Sequence, residues 1–212
     1  MRDFPIFTTE NGVASLTLKE IPYTKAAYIK FQDTAEPEKL LAECMEFCLV
    51  AGAEHIYGSN HPIFEKYPFH TTILKMQIAR ACLADTDTAL FPVTDKTIEM
   101  WRRIYNDRMS EVPNFSYMSV MDGKKLLENG TGYFVHRNQV LIGIGIAGGE
   151  KIEAVASVSK GAGADAVLAL NHALSGDFAV LEVASTNDKA MALYRRLGFL
   201  VTDEISHWYC LK

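Results

Sequence analysis

Two residues of this sequence, twelve positions apart, have side chains suited to proton transfer. Glu182 stands between Leu181 and Val183 in an otherwise apolar predicted strand, where a charge is costly unless it has a partner or a task. A carboxylate partly removed from water has a raised pKa and becomes a reasonable base. Tyr194 follows in a predicted helix, and its phenol can donate a proton. The pair suggests acid–base chemistry. The same sequence would also fit a glutamate at a solvated strand end and a tyrosine that only packs on the core.

A second candidate is a loop of small residues that joins a predicted strand to a predicted helix. Small residues let backbone amides approach an anion, and the helix start adds about half a positive charge. The loop therefore predicts a cradle for a pyrophosphate, although tight packing of helix on sheet would also explain its glycines. Its residues are Ser159, Lys160, Gly161, Ala162, Gly163 and Ala164.

The elements around Tyr194 are well marked. Residues 181–183 predict a strand, and Thr186 or Asn187 can cap the helix that follows. Gly198 is placed to end that helix in a left-handed turn. The run L-x-V-x-x-x-N-x-x-A-x-x-L-Y-x-x-x-G-F over 181–199 resembles the closing motif of the GNAT (Gcn5-related) N-acetyltransferase superfamily.

The resemblance implies transfer of acetyl from acetyl-CoA to a primary amine by direct attack. Tyr194 matches the family tyrosine that returns a proton to the coenzyme A thiolate, and Asn187 matches a residue that contacts the pantetheine arm or caps the helix. The spacing from Glu182 to Tyr194 resembles that of ribosomal-protein and peptide N-terminal acetyltransferases, in which the glutamate is the base. Other family branches use a carboxylate at the position of Glu153, and some rely on water.

The cradle departs from the family pattern Gln/Arg-x-x-Gly-x-Gly/Ala at one position. Gly161 and Gly163 match the glycines, whereas Val158 stands where Gln or Arg is expected. Lys160 is the residue that could supply the charge instead. The competing hypothesis is therefore a descendant that has lost catalysis and serves as a ligand-binding or interaction module.

Local patterns predict helices at 161–174 and 188–197, a last strand at 205–211 and hairpin turns at 136–139 and 148–150.

The predicted elements indicate an α/β (or α+β) fold with a mixed, mostly antiparallel sheet. We expect an acetyltransferase domain at 89–212, splayed in the middle of its sheet and preceded by a smaller α/β domain at 1–88. The smaller domain echoes part of the same element order, as a degenerate second copy would. Its strand-to-helix turn, 32–37, is acidic and lacks glycine, so we expect it not to bind a pyrophosphate.

The composition of the chain argues against several classes of binding partner. The net charge of −5 argues against nucleic acid, which needs a clustered basic surface. No apolar run is long enough for a membrane helix, and the start lacks a signal-peptide pattern, so we expect a cytoplasmic protein without a membrane partner. Cys44 and Cys48 lie one helical turn apart and predict buried thiols, and we expect no metal site. A small-molecule or peptide amine is the expected substrate, and a homodimer is left open.

Overall fold

The computed structural model describes residues 5–212, in which eleven strands and six α-helices form. The strands are β1 (Ile6–Thr9), β2 (Gly12–Thr17), β3 (Ala26–Thr34), β4 (His55–Ser59), β5 (Phe69–Ala79), β6 (Ala89–Pro92), β7 (Gly132–Arg137), β8 (Val140–Gly148), β9 (Lys151–Ser157), β10 (Phe178–Ala184) and β11 (Leu200–Cys210). The helices are α1 (Ile21–Thr24), α2 (Pro37–Val50), α3 (Ile98–Met109), α4 (Val120–Asn129), α5 (Gly163–Asn171) and α6 (Asp188–Arg196). Within this range no helix has both the length and the apolar character needed to cross a membrane.

The chain divides into two compact units. Unit 1 contains the residues up to Ile73 together with Glu204–Lys212, and unit 2 is Leu74–Asp203. Strands β5 and β11 therefore each contribute residues to both units. These limits differ from the domain boundary predicted after residue 88. The boundary after residue 88 stays a prediction.

Unit 1 is a mixed sheet with α2 on one face. Strand β3 pairs antiparallel with β2 and parallel with β4, and β4 pairs antiparallel with the end of β11. Cys44 and Cys48 of α2 are fully buried in the core that this helix forms with the sheet. The prediction of two buried thiols is therefore confirmed, and burial raises the pKa of the Cys44 thiol to about 12 and that of Cys48 to about 11.

The crossover β3–α2–β4 in unit 1 has the element order strand–helix–strand that a cofactor-binding crossover would have. Its two strands do not separate, and the start of its helix does not resemble an anion-binding loop. Strands β3 and β4 stay paired over five successive positions, from Ala26↔His55 to Lys30↔Ser59. At the start of α2, the carbonyl of Asn11 accepts hydrogen bonds from the amides of Ala35 and Glu36. Two of the amides that could meet an anion there are therefore already bound within unit 1.

Unit 2 contains an antiparallel run, β6–β7–β8–β9, to which β10 adds in parallel. Helix α5 connects β9 to β10 and packs through small residues on one face of the sheet. Helix α3 packs on the other face through Trp101 and Tyr105. Both are buried, as expected for aromatic residues at i and i+4 on the core-facing side of a helix.

Candidate active site

Tyr194 is held in place by the C-terminal turn of α6. Gly198 adopts φ +93°, which favours glycine, and its amide donates to the carbonyl of Arg195. The amide of Phe199 donates to the carbonyl of Tyr194 at 3.0 Å, which completes a Schellman motif. The Phe199 ring, fully buried, lies 5.8 Å from the Tyr194 ring. The predicted helix stop therefore also fixes the tyrosine.

The Tyr194 side chain is 8% exposed, and its hydroxyl has no hydrogen-bond partner among residues 5–212. Burial raises the pKa of this phenol to about 12. The hydroxyl is therefore protonated at neutral pH and can donate to an incoming group.

The raised pKa predicts an alkaline loss of stability that a Tyr194→Phe variant lacks. Between pH 10 and 12 the unfolded phenol ionises while the folded one keeps its proton, so the unfolded state binds fewer protons and stability falls. Up to about 2–3 kcal/mol of the free energy of unfolding is lost over this window in the wild type relative to the variant. Urea denaturation at pH 9, 10 and 11.5 measures the difference, and parallel pH profiles for the two proteins would contradict it.

The predicted cradle lies at the start of α5 and is only partly available. The amides of Val158 and Ser159 donate to the carbonyl of Ile142 in β8, and the amide of Ala162 donates to Ser159. Within residues 5–212, the remaining four amides of the loop have no hydrogen-bond acceptor, and these are the groups that could bind an anion. They belong to Lys160, Gly161, Gly163 and Ala164.

Close packing on two sides holds the start of α5. A Cβ atom on Gly143 of β8 would lie 3.1 Å from the Cβ of Ala166, so the helix rests directly on the strand. On the other side, a Cβ atom on Gly163 would lie 3.0 Å from Leu193 Cδ2 of α6. Gly163 therefore allows close packing of α5 on α6, whereas the packing of helix on sheet that was the alternative interpretation is seen at Gly143. This packing also brings the cradle next to the helix that carries Tyr194.

Strands β9 and β10 separate soon after they begin. Their parallel pairing contains only Val180↔Lys151 and Leu181↔Ile152. Directly afterwards β9 bulges at Glu153, since Ala147 opposes Ile152 and Ile146 opposes Ala154. A bulge bends a strand and interrupts its ladder, which accounts for the separation. The predicted splay is therefore present in the sheet of unit 2.

Glu182 lies just beyond the last β9–β10 pair and is 41% exposed. It points away from the face of β10 that buries Leu181 and Val183, and its carboxylate forms an ion pair with the Lys151 ammonium. The carboxylate is therefore only partly desolvated and is ion-paired, and its role as the base stays a prediction. The flanking residues looked like a buried strand, but they bury only one face of it.

Comparisons with known proteins agree with this architecture. A GCN5-related N-acetyltransferase from Kribbella flavida superposes with a TM-score of 0.61 at 14% identity, over 99% of this chain and 90% of that one. A conserved protein of unknown function from Staphylococcus epidermidis gives 0.64 at 12% identity, over 99% and 94%. A tandem GNAT protein from the clavulanic acid biosynthesis pathway gives 0.50 at 9% identity, over 94% and 79%.

This chain has the GNAT fold. The similarity extends over nearly the whole chain, including the region before residue 89. No protein-family model matches the sequence, and neither does any curated protein sequence. At these identities the comparisons show the fold, and the roles of individual residues depend on the geometry of this chain.

Within the GNAT fold of this chain, Asn187 is the N-cap of α6. Its Oδ1 accepts from the amide of Ala190 at 3.2 Å, which confirms the capping prediction. The amide nitrogen of the same side chain can still donate to a ligand. Over residues 5–212 no group of three or more His, Cys, Asp or Glu side chains could hold a metal ion.

Sequence reasoning missed a charged pair at the start of α5. Arg137, the last residue of β7, places Nη1 2.6 Å from Oδ2 of Asp165 in the first turn of the helix. The acidic residue two positions after Gly163 was a visible signal, because acidic residues favour the first turn of a helix. Its partner is 28 positions away and becomes a neighbour only through the hairpin of β7 and β8.

Proposed function

We propose that this chain is an N-acetyltransferase that moves acetyl from acetyl-CoA to a primary amine on a small molecule or peptide. The observation that carries the proposal is the early end of the β9–β10 pairing, beside a loop in which four amides have no acceptor among the residues described. Tyr194, on the helix packed against that loop, adds a protonated hydroxyl that has no hydrogen-bond partner in the described part of the chain. The GNAT fold supports the same conclusion.

The chain's own groups would divide the work. The amides of 160, 161, 163 and 164 would bind the pyrophosphate, helped by the partial positive charge of the helix start. Beyond the bulge, the backbone from Ala156 in β9 to Val158 directly after it would pair with the pantetheine arm as an added strand would. The Val158 amide is excepted, because it already donates to Ile142. The thioester would then lie between β9 and β10, near Tyr194.

The pKa of Tyr194 limits what its hydroxyl can do. A phenol with a pKa of about 12 is a weaker acid than an ordinary thiol, whose pKa is about 8.5, so complete transfer of its proton to the thiolate costs about 5 kcal/mol. We therefore propose that the Tyr194 hydroxyl donates a hydrogen bond to the leaving sulfur. Its proton would move to the thiolate only if the phenol oxygen received another proton at the same time. Glu182, paired with Lys151, is the proposed base, and Glu153 or water is the alternative.

Acetyl-CoA binding to an Ala164→Glu variant tests the cradle. A carboxylate about 5 Å from a pyrophosphate charge costs about 3 kcal/mol at an effective dielectric of 20, so affinity should fall more than 100-fold. The same glutamate favours the helix start by about 0.3–1 kcal/mol, so folding is preserved. Titration calorimetry measures the affinity. Gly163→Glu is a poorer choice, because its side chain would also displace Leu193.

Ala164→Gln is the matched control, since it adds the same bulk without the charge, and it should bind within a few-fold of the wild type. Equal losses in both variants would argue for steric disruption and against an anion cradle. If the wild type binds no acetyl-CoA, the enzyme hypothesis fails and the interaction module remains. Val158 in place of the family's Gln or Arg is the feature that favours that module.

A further inference from the structure

The Arg137–Asp165 ion pair lies beside the four free amides at the start of α5. Both side chains are partly exposed, Arg137 at 42% and Asp165 at 30%. Asp165 stands three residues into the helix from Ala162, its N-cap. Any anion bound by the loop would therefore meet this ion pair at close range.

The position of Arg137 follows from the packing of β7. Val135, two residues earlier on the same face of the strand, is fully buried against α5 together with Ala162 and Ala166. The strand ends at Arg137, and the chain reverses at Asn138 and Gln139, both at positive φ. Arg137 thus emerges from under α5 at the end where the helix begins.

The charges of Asp165 and Arg137 determine whether an anion can bind beside them. The carboxylate of Asp165 stabilises the helix start, but alone it would repel a phosphate at the neighbouring amides. Arg137 neutralises it. A guanidinium has five N–H donors in a fixed fork, and the structure uses one nitrogen of Arg137 for Asp165. The remaining donors can bind a second anion at the same time.

We propose that Arg137 is the phosphate-binding arm of this site and replaces from β7 the Gln or Arg that position 158 lacks. Asp165 is its positioning residue, because it holds the guanidinium beside the cradle. The proposal rests on the proposed function, since the anion it would bind is a phosphate of acetyl-CoA.

The test compares affinities by calorimetry for acetyl-CoA and for S-acetylpantetheine, which has no pyrophosphate. Arg137→Ala should weaken acetyl-CoA binding at least tenfold and leave S-acetylpantetheine unchanged, and Arg137→Lys should fall between. Arg103→Ala is the matched control, because it also removes an exposed arginine from an ion pair, with Glu99 of α3. Acetyl-dephospho-CoA then identifies the phosphate: a retained effect indicates the pyrophosphate, and a lost effect indicates the 3′-phosphate.

Two results would overturn the assignment of Arg137 alone: unchanged acetyl-CoA affinity in Arg137→Ala, or an equal loss for S-acetylpantetheine. Absence of acetyl-CoA binding by the wild type would overturn the proposed function together with it. Thermal melting of each variant separates these results from misfolding. Arg137→Lys keeps the charge if the alanine variant proves unstable.

Discussion

Replacing Tyr194 with phenylalanine is expected to lower kcat/KM for acetyl transfer by about 10²–10³-fold, the usual cost of removing one hydrogen bond that stabilises developing charge. The variant keeps the ring that packs on Phe199. It removes only a hydroxyl that has no partner within residues 5–212, so no buried group loses its hydrogen bond. Folding and acetyl-CoA affinity should both be retained. Thiol release in the presence of an accepted amine measures the rate.

Tyr67→Phe is the control for this experiment, since it removes a hydroxyl from unit 1 and should leave the rate unchanged. A rate for Tyr194→Phe within twofold of the wild type would return Tyr194 to a purely structural role in the core. A rate loss that came entirely through KM would indicate binding of the ground state instead of stabilisation of the leaving thiolate.

Replacing Trp101 with alanine is expected to reduce the free energy of unfolding by about 3–5 kcal/mol, the range for large aromatic residues in cores. Trp101 has no exposed surface and stacks on Tyr105 at 5.3 Å. Its indole nitrogen donates to the carbonyl of Tyr133 at 3.0 Å. The variant therefore creates a cavity and also leaves a carbonyl unpaired. Because the free energy of unfolding of a domain is only about 5–15 kcal/mol, the variant would lose a large part of it.

Urea denaturation followed by far-ultraviolet circular dichroism measures this loss. Met100→Ala is the control, because Met100 precedes Trp101 on the same helix but is 51% exposed, and it should cost less than about 1 kcal/mol. Similar losses for the two variants would show that helix α3 does not anchor the core through Trp101.

Sequence alone predicted best where a local signal is strong. The helix carrying Tyr194 was expected at 188–197 and is found at 188–196, because Asn187 caps it and Gly198 stops it. The hairpin turns around Asn138 and Gly149 were likewise expected, and both contain residues at positive φ. The GNAT-like element order followed from these signals.

Prediction failed where tertiary contacts decide the outcome. Helix α5 was expected from Gly161 but begins at Gly163, because Gly161 has φ +83°, which no helix contains. Strand β11 was expected from residue 205 but begins at Leu200, where the exposed residues show no alternation. The ion pair of Glu182 with Lys151 could not be foreseen for a related reason, since exposure on one face of a strand depends on what its neighbours cover. Arg137 could not be linked to Asp165 without the register of the hairpin.

Unit 1 combines the residues up to Ile73 with Glu204–Lys212, so it cannot be completed until the second of these segments has been synthesised. The pairing of Tyr57 with Cys210 joins residues about 150 positions apart, so unit 1 has high contact order and should fold slowly. During synthesis at about 5–20 residues per second, β4 would wait about 8–30 s for this partner. Throughout that interval β4 is an edge strand, whose unpaired groups can recruit another chain. Chaperone binding to the nascent chain would matter most in this window.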